Sequence, residues 1–379
     1  MRFDLPTSWR HGRGLAAQTG RILRDLGCAH SLLVTDGMLV EKGVVAPVVA
    51  SLDDCEVEYT MCAEVTTEPT VSLFEKLVDG WDLTGFDSVL AVGGGSVIDV
   101  AKGLAVVAQF GGHIRDYAGF DRIPAPLLRK IVAVPTTAGT GSEISDGSVW
   151  IDEARQTKFL VLSTRICPTI ALTDPEMTCS MPPRITATSG VDALTHAIES
   201  YVSVDAGVAT ELFSLRAIEL IGAGLKKAYT RGDDLDAREA VQLGATMAMI
   251  AGMNAHMGLC HALAMPLCGL YPIPHGQACA MALPHVLEFN AEVAGAKVAG
   301  ICEALAMVGT GNDAPGAARY REIEGLLAAL GMTGRLRDFG YRDEHMDIIV
   351  RETLNSVQYR FNPRAASEED LVRLVERLV

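Results

Sequence analysis

The stretch Ser88-Val89-Leu90-Ala91-Val92-Gly93-Gly94-Gly95-Ser96-Val97-Ile98-Asp99-Val100-Ala101-Lys102 decides the fold of this chain. Its first five residues form an apolar run of strand length, and three glycines then turn the chain into a segment of helical character. A strand feeding a helix through a glycine turn is half of a crossover unit. The pattern recurs on both sides. Residues 31–35, 55–59 and 131–135 read as strands, and stretches near 39–51, 70–80 and 96–109 read as helices between them. Residues 149–152 and 157–162 look like a hairpin, and 169–173 like one more strand. Strands alternating with helices imply a mostly parallel, doubly wound sheet of Rossmann-like character.

From about Thr186 the texture changes to long Ala- and Leu-rich segments with helical periodicity, running to Val379. Met181-Pro182-Pro183 breaks the chain between the two textures. The expected organisation is an α/β dinucleotide-binding domain over residues 1–180 and an all-helical metal and catalytic domain over 181–379.

The glycine turn is suited to a phosphate. Glycines let the backbone approach a pyrophosphate closely, and the exposed N–H groups and dipole of a helix start favour an anion. Ser96 and Asp99 also fit a capping box, so a purely structural explanation exists, and the spacing is not Gly-x-Gly-x-x-Gly. A second polar turn, Thr136-Thr137-Ala138-Gly139-Thr140-Gly141-Ser142-Glu143, follows the strand ending at Pro135. It carries more hydroxyls than a turn requires, at the strand end where open α/β sheets bind ligands. Asp36, after the first strand, has the place of an acid that accepts from ribose hydroxyls and repels a 2′-phosphate, favouring NAD over NADP. An Asp-Gly pair is also ordinary turn chemistry.

Further on, Asp192 and His196 stand i, i+4 on an expected helix, so both can reach one ion. His261 lies on a second helical segment and His275 in a Pro-His-Gly turn. Four of the nine histidines fall between residues 256 and 285, which makes a shared purpose more plausible than scattered core packing. One carboxylate with three neutral imidazoles suits Fe(II), Zn(II), Mn(II) or Co(II) rather than calcium or magnesium.

These residues resemble the iron-containing, or group III, alcohol dehydrogenases, which have a dehydroquinate synthase-like architecture. The resemblance covers nearly the whole chain. It includes Val34-Thr35-Asp36-Gly37, the run from Gly93 to Lys102, the run from Pro135 to Glu143, and Asp174-Pro175. It continues through the run from Gly190 to Glu199, then Pro274-His275-Gly276, the run from Leu283 to Val286, and Asn362-Pro363-Arg364. It implies a metal held by Asp192, His196, His261 and His275, with His261 and His275 at the catalytic centre. It also implies NAD(H) at Asp36, Gly94, Gly95, Ser96, Thr136, Thr137 and Lys158, Lys158 corresponding to a lysine that contacts the cofactor ribose in relatives. Two departures stand out. Many relatives carry a further histidine where this chain has Met265, which makes His256 a candidate to share in proton transfer. A loop near the adenosine reads Thr66-Thr67-Glu68-Pro69-Thr70, where Glu68 would add negative charge against NADP.

The expected reaction is hydride transfer between a primary alcohol, or its aldehyde, and nicotinamide. The alternatives are maleylacetate reductase or hydroxyacid–oxoacid transhydrogenase chemistry, or a dehydroquinate synthase-like lyase. Ser145, Gly147, Trp150, Met253, Asn254, His256, Cys260, Met265 and Cys279 are candidate pocket residues, without a dense cationic cluster. A net charge of −15 argues against a nucleic-acid or anionic-membrane surface. No apolar run is long enough for a transmembrane helix, and the start of the chain has no signal-peptide h-region. The nine cysteines contain no Cys-x-x-Cys pair, which fits reduced thiols in the cytoplasm. By analogy a homodimer or larger homo-oligomer is expected.

Overall fold

The computed structural model describes residues 3–65, 69–155, 157–306 and 320–379. Glu68 and its neighbours Thr66 and Thr67 lie outside the described residues. The chain divides into two compact units. One comprises Leu5–Thr137 and Gly141–Met181; the other comprises Pro182–Val379, Ala138–Thr140 and the N-terminal residues up to Asp4.

The first unit is built on a six-stranded, wholly parallel sheet. Its strands are β1 (Ser8–His11), β2 (His30–Thr35), β3 (Glu58–Cys62), β4 (Ser88–Gly93), β6 (Lys130–Pro135) and β9 (Ile170–Thr173). They lie in the order β1-β9-β6-β4-β2-β3. Between β4 and β6 the chain forms the two-residue β5 (Gly119–Phe120), and β7 (Gly147–Asp152) and β8 (Thr157–Leu162) form the expected antiparallel hairpin, joined to β5 in a small second sheet.

The central strands read as unbroken apolar runs because both faces are covered. Leu33, Leu90, Val92, Val132 and Val134 pack on one face with Ile22 and Leu23 of α1 (Thr19–Asp25) and with Val48 and Leu52 of α3 (Ala46–Asp54). Leu32, Val34, Val89, Ala91, Ile131 and Ala133 face the other way, onto Phe74 and Leu77 of α4 (Val71–Gly80) and Ile98 and Leu104 of α5 (Gly95–Phe110). Alternate residues of one strand thus serve opposite cores. Trp150, expected in a pocket, instead fills this second core: it is fully buried, edge-on to Phe74 at 4.8 Å, with its indole N–H given to Ser148.

Two local expectations differ from the structure. The single helix near 39–51 is two, α2 (Gly37–Glu41) and α3, because the chain breaks at Gly43, whose φ of +70° suits glycine, and restarts at Ala46 with Pro47 in the first turn. The strand expected at 55–59 lies later, at Glu58–Cys62, because Cys55 still caps α3 and Glu56 turns the chain at a φ of 54°.

The second unit is helical: α6 (Pro183–Val202), α7 (Val208–Thr230), α8 (Leu235–Ala255), α9 (Leu259–Leu270), α10 (His275–Ala306), α11 (Tyr320–Ala329), α12 (Met346–Asn355) and α13 (Glu368–Leu378). Helix α6 is its axis. From Thr186 to Val202 nearly every residue is buried, and α7, α8 and α10 pack around it. Glycines set the closest approaches. A Cβ on Gly190 would stand 2.2 Å from Leu225, and one on Gly276 only 1.9 Å from the Thr188 carbonyl oxygen. Asn254, another pocket candidate, ties this unit to the start of the chain: its amide accepts from Asp4 N–H at 2.7 Å and donates to Asp4 O at 3.0 Å. Among the described residues no helix is long and apolar enough to cross a membrane. None of the nine cysteines is in a disulfide.

Candidate active site

In the α/β unit, β2 leads to β3 on one side, and the chain then returns to place β4 on the other side of β2. The carboxyl ends of β2 and β4 therefore form the switch point where such sheets bind ligands. Asp36 follows β2, the glycine turn follows β4, and Thr136 and Thr137 follow β6. Gly93 pairs with Pro135 in the sheet, Thr136 N–H donates to Gly93 O at 3.0 Å, and a Cβ on Gly94 would lie 3.2 Å from Thr137 Cγ2. The two polar turns are thus brought together.

Helix α5 begins without a side-chain cap. The capping box that Ser96 and Asp99 could have made does not form. Asp99 is buried, and its carboxylate accepts from the Ser142 hydroxyl and from Val149 N–H at 2.9 Å. The first N–H groups of a sixteen-residue helix, entered through Gly94 and Gly95, are consequently left for an anion. One turn on, the fully buried Lys102 donates to Gly147 O (2.7 Å), Ser145 O (2.9 Å), Ser145 Oγ (3.2 Å) and Ser142 Oγ (3.3 Å). Ser145 and Gly147, expected in a pocket, therefore serve as the acceptors of this lysine. Asp36 caps α2, accepting from Met38 N–H at 2.7 Å through one oxygen. Lys158 is half-buried on β8 opposite Ile151.

The helical unit gathers the histidines. Asp192 and His196 lie one turn apart on α6, His261 near the start of α9, and His275 at the first position of α10 rather than in a turn. The Nε2 atoms of His275, His261 and His196 stand 3.5, 3.6 and 3.8 Å from one oxygen of Asp192. Those distances are too long for hydrogen bonds. They are close to the ~3.4 Å separating two donors that each sit ~2.1 Å from one tetrahedral ion. His261 Nε2 is buried with no hydrogen-bond partner. Asp192, His196 and His261 are almost wholly buried, whereas the His275 side chain is 32% exposed, so the cluster opens on that side.

Two further residues complete the arrangement. Glu199, the next turn of the α6 stripe, accepts from His261 Nδ1 at 2.5 Å and from Cys260 N–H at 2.5 Å. Holding the proton on Nδ1 leaves the Nε2 lone pair aimed at Asp192. Sequence reasoning gave Glu199 no role; its only signal is the i, i+4, i+7 spacing of Asp192, His196 and Glu199. Cys279, one turn after His275, places its sulfur 3.8 Å from His275 Nε2 and 4.0 Å from Asp192 Oδ1. His256 is not drawn into the cluster. Its exposed ring stacks on Phe361 at 4.0 Å and faces Asp205 at 3.8 Å.

The electrostatics of the cluster suit a cation. Burial alone would raise Asp192, but the imidazoles, His196 foremost, hold its carboxyl below the ordinary carboxylate range. Burial depresses His196 to about 4. Burial also opposes protonation of His261, yet the nearby Asp192 carboxylate and the hydrogen-bonded carboxylate of Glu199 overcome it and push the ring up to about 10. A proton there does the work a divalent ion could do.

Comparison with known proteins shows the family. Residues 6–175 match the family model described as iron-containing alcohol dehydrogenase, and 186–379 match the C-terminal model of the Fe-containing alcohol dehydrogenase family. The chain belongs to the iron-containing alcohol dehydrogenases. Relatives in this family include the NAD-dependent methanol dehydrogenase of Bacillus methanolicus, 31% identical over 99% of this chain and 98% of that one. Another is the lactaldehyde reductase of Escherichia coli K12, 33% identical over 97% and 96%. Among solved structures, the alcohol dehydrogenase from Oenococcus oeni superposes with a TM-score of 0.93 at 30% identity, covering all of both chains. An iron-containing alcohol dehydrogenase with this set of relatives is an oxidoreductase of the alcohol dehydrogenase and aldehyde reductase class.

Proposed function

We propose that this alcohol dehydrogenase is NAD(H)-dependent and divalent-metal-dependent, and that it acts on a short primary alcohol or the corresponding aldehyde. The observation that carries the reading is the convergence of three imidazole Nε2 atoms on one buried carboxylate oxygen, with that of His261 left unpartnered. Asp192, His196, His261 and His275 would hold the ion, Fe(II) or else Zn(II), Mn(II) or Co(II). When bound, such an ion supplies Lewis acidity toward a substrate oxygen, and NAD(H) supplies or takes the hydride.

The chain's own residues bind and orient. The uncapped N–H groups at Gly95 and Ser96, with Gly94 and the hydroxyls of Thr136 and Thr137 beside them, suit the pyrophosphate of NAD. Asp36 has one carboxylate oxygen committed to Met38, leaving the other for a ribose hydroxyl, and Lys158 is assigned to the same cofactor. Glu199 fixes the tautomer of His261. The cluster is exposed on the side of His275, where the hydroxyl proton of the alcohol would be given up. Small alcohols and aldehydes named by the relatives support the substrate class. Free cysteines suit a cytoplasmic enzyme, and a homodimer or larger assembly is the proposed form.

The test is His261→Ala and His275→Ala, with metal content measured after dialysis alongside aldehyde-dependent NADH consumption. Both variants are expected to lose both properties. Retention of metal and activity in both would sink the proposal.

A further inference from the structure

The donor cluster does not stop at one carboxylate and three imidazoles. The ligand-type atoms of Asp192, His261, His275 and Cys279 all lie within 4.8 Å of one another, and all but His275 are buried. Building on the metal reading above, we propose that Cys279 supplies a sulfur donor to the same ion and tilts the site toward zinc over iron.

Three observations support it. Cys279 follows His275 by one turn of α10, so the two side chains share a face. Its Sγ is 3.8 Å from His275 Nε2 and 4.0 Å from Asp192 Oδ1. An ion ~2.3 Å from sulfur and ~2.1 Å from oxygen would separate those donors by ~3.6 Å, so a few tenths of an ångström of closure suffices. The buried, unpartnered Nε2 of His261 independently marks this space as a ligand position.

The neighbouring thiols are placed differently. Cys260 donates to the Cys279 carbonyl at 3.4 Å, and Cys268 lies 3.8 Å from Nδ1 of His275, the ring nitrogen opposite the cluster. Of the three, Cys279 is the one whose sulfur stands beside both Nε2 of His275 and Oδ1 of Asp192.

Coordination exchanges the S–H bond for a sulfur–metal bond, the proton passing to buffer, with no change of oxidation state. A soft donor added to a nitrogen and oxygen set favours Zn(II) and Co(II) over Fe(II) and Mn(II).

The test is anaerobic titration of the metal-stripped enzyme with Co(II), followed by optical spectroscopy. Wild type is expected to show visible ligand-field bands together with a near-ultraviolet sulfur-to-cobalt charge-transfer band. Cys279→Ala and Cys279→Ser should keep the visible bands and lose the near-ultraviolet one, and Cys268→Ser should keep both. In competition, the Zn(II)-to-Fe(II) affinity ratio should fall about tenfold or more in Cys279→Ala. Visible bands without charge transfer in wild type would overturn the sulfur assignment while leaving the metal site standing. No stoichiometric cobalt bands in any protein would overturn the metal reading, and this inference with it. The wild-type spectrum decides the matter even if a variant fails to fold.

Discussion

Gly276→Ala should loosen the histidine cluster without touching any of its side chains. A Cβ at position 276 would lie 1.9 Å from the Thr188 carbonyl oxygen, 2.7 Å from its carbon and 3.1 Å from Thr188 Cα. The obstacle is the backbone of α6, which cannot rotate away as a side chain could. Real Cβ atoms do not approach closer than 3.0 Å, so the start of α10 must retreat from α6 by about 1 Å. His275 is the adjacent residue, and its partner Asp192 sits on α6. The same displacement therefore falls on the 3.5 Å separation of His275 Nε2 from Asp192 Oδ1. Overpacking of this kind costs about 1–3 kcal/mol of stability. A misplacement of ~1 Å at a reacting centre can cost ~100-fold in rate. Metal content after dialysis, thermal midpoint and kcat would be measured for Gly276→Ala against Gly269→Ala. A Cβ on Gly269, in α9, meets nothing within 4 Å. The expected result is metal loss, a lowered midpoint and a fall in kcat only at position 276. Equal metal content and equal midpoints in wild type and Gly276→Ala would refute the reasoning.

Further predictions address the surroundings. Glu199→Ala should weaken metal binding roughly 10–100-fold by freeing the His261 tautomer, read by competition with a chromogenic chelator; unchanged affinity would remove Glu199 from the site. Lys102→Met should destabilise the α/β unit by about 3–5 kcal/mol, because it leaves Asp99 buried beside unmet carbonyls of Ser145 and Gly147; denaturant unfolding measures it, and a change under about 1 kcal/mol would contradict it. Asp152 accepts from Arg115 at 2.8 and 3.0 Å, and that hydrogen bonding holds its carboxyl below the usual range. Its contribution is therefore present above the unfolded carboxylate pKa and fades as pH falls through the lower folded value. The difference in midpoint between wild type and Asp152→Asn should shrink over that acidic window, and a difference independent of pH would count against it.

The sheet was legible because parallel strands buried on both faces read as continuous apolar runs, as at Ser88–Gly93 and Lys130–Pro135. Edge elements lack that signal. Strand β1, Ser-Trp-Arg-His, has no apolar run and is placed by pairing with β9. Strand β3 was expected three residues early because the apolar pattern does not show that Cys55 belongs to the end of α3. The donor residues Asp192, His196, His261 and His275 stood out by type and spacing, and the structure brings them together. Glu199 did not, since an acid on a helix ordinarily faces solvent, and only the packing of α9 against α6 buries it at His261. The role of Asp99 was not legible for the converse reason. The capping pattern with Ser96 is local, whereas the partners that won, Ser142 and Val149, are more than forty residues away.

The most direct test of the proposed function is NADH consumption with a panel of short aldehydes, using enzyme stripped of metal and then reloaded anaerobically with Fe(II) or Zn(II). Turnover that disappears on stripping and returns with the ion is the predicted result. Turnover that survives complete metal removal, or no turnover with any aldehyde by enzyme that binds both NADH and metal, would contradict it.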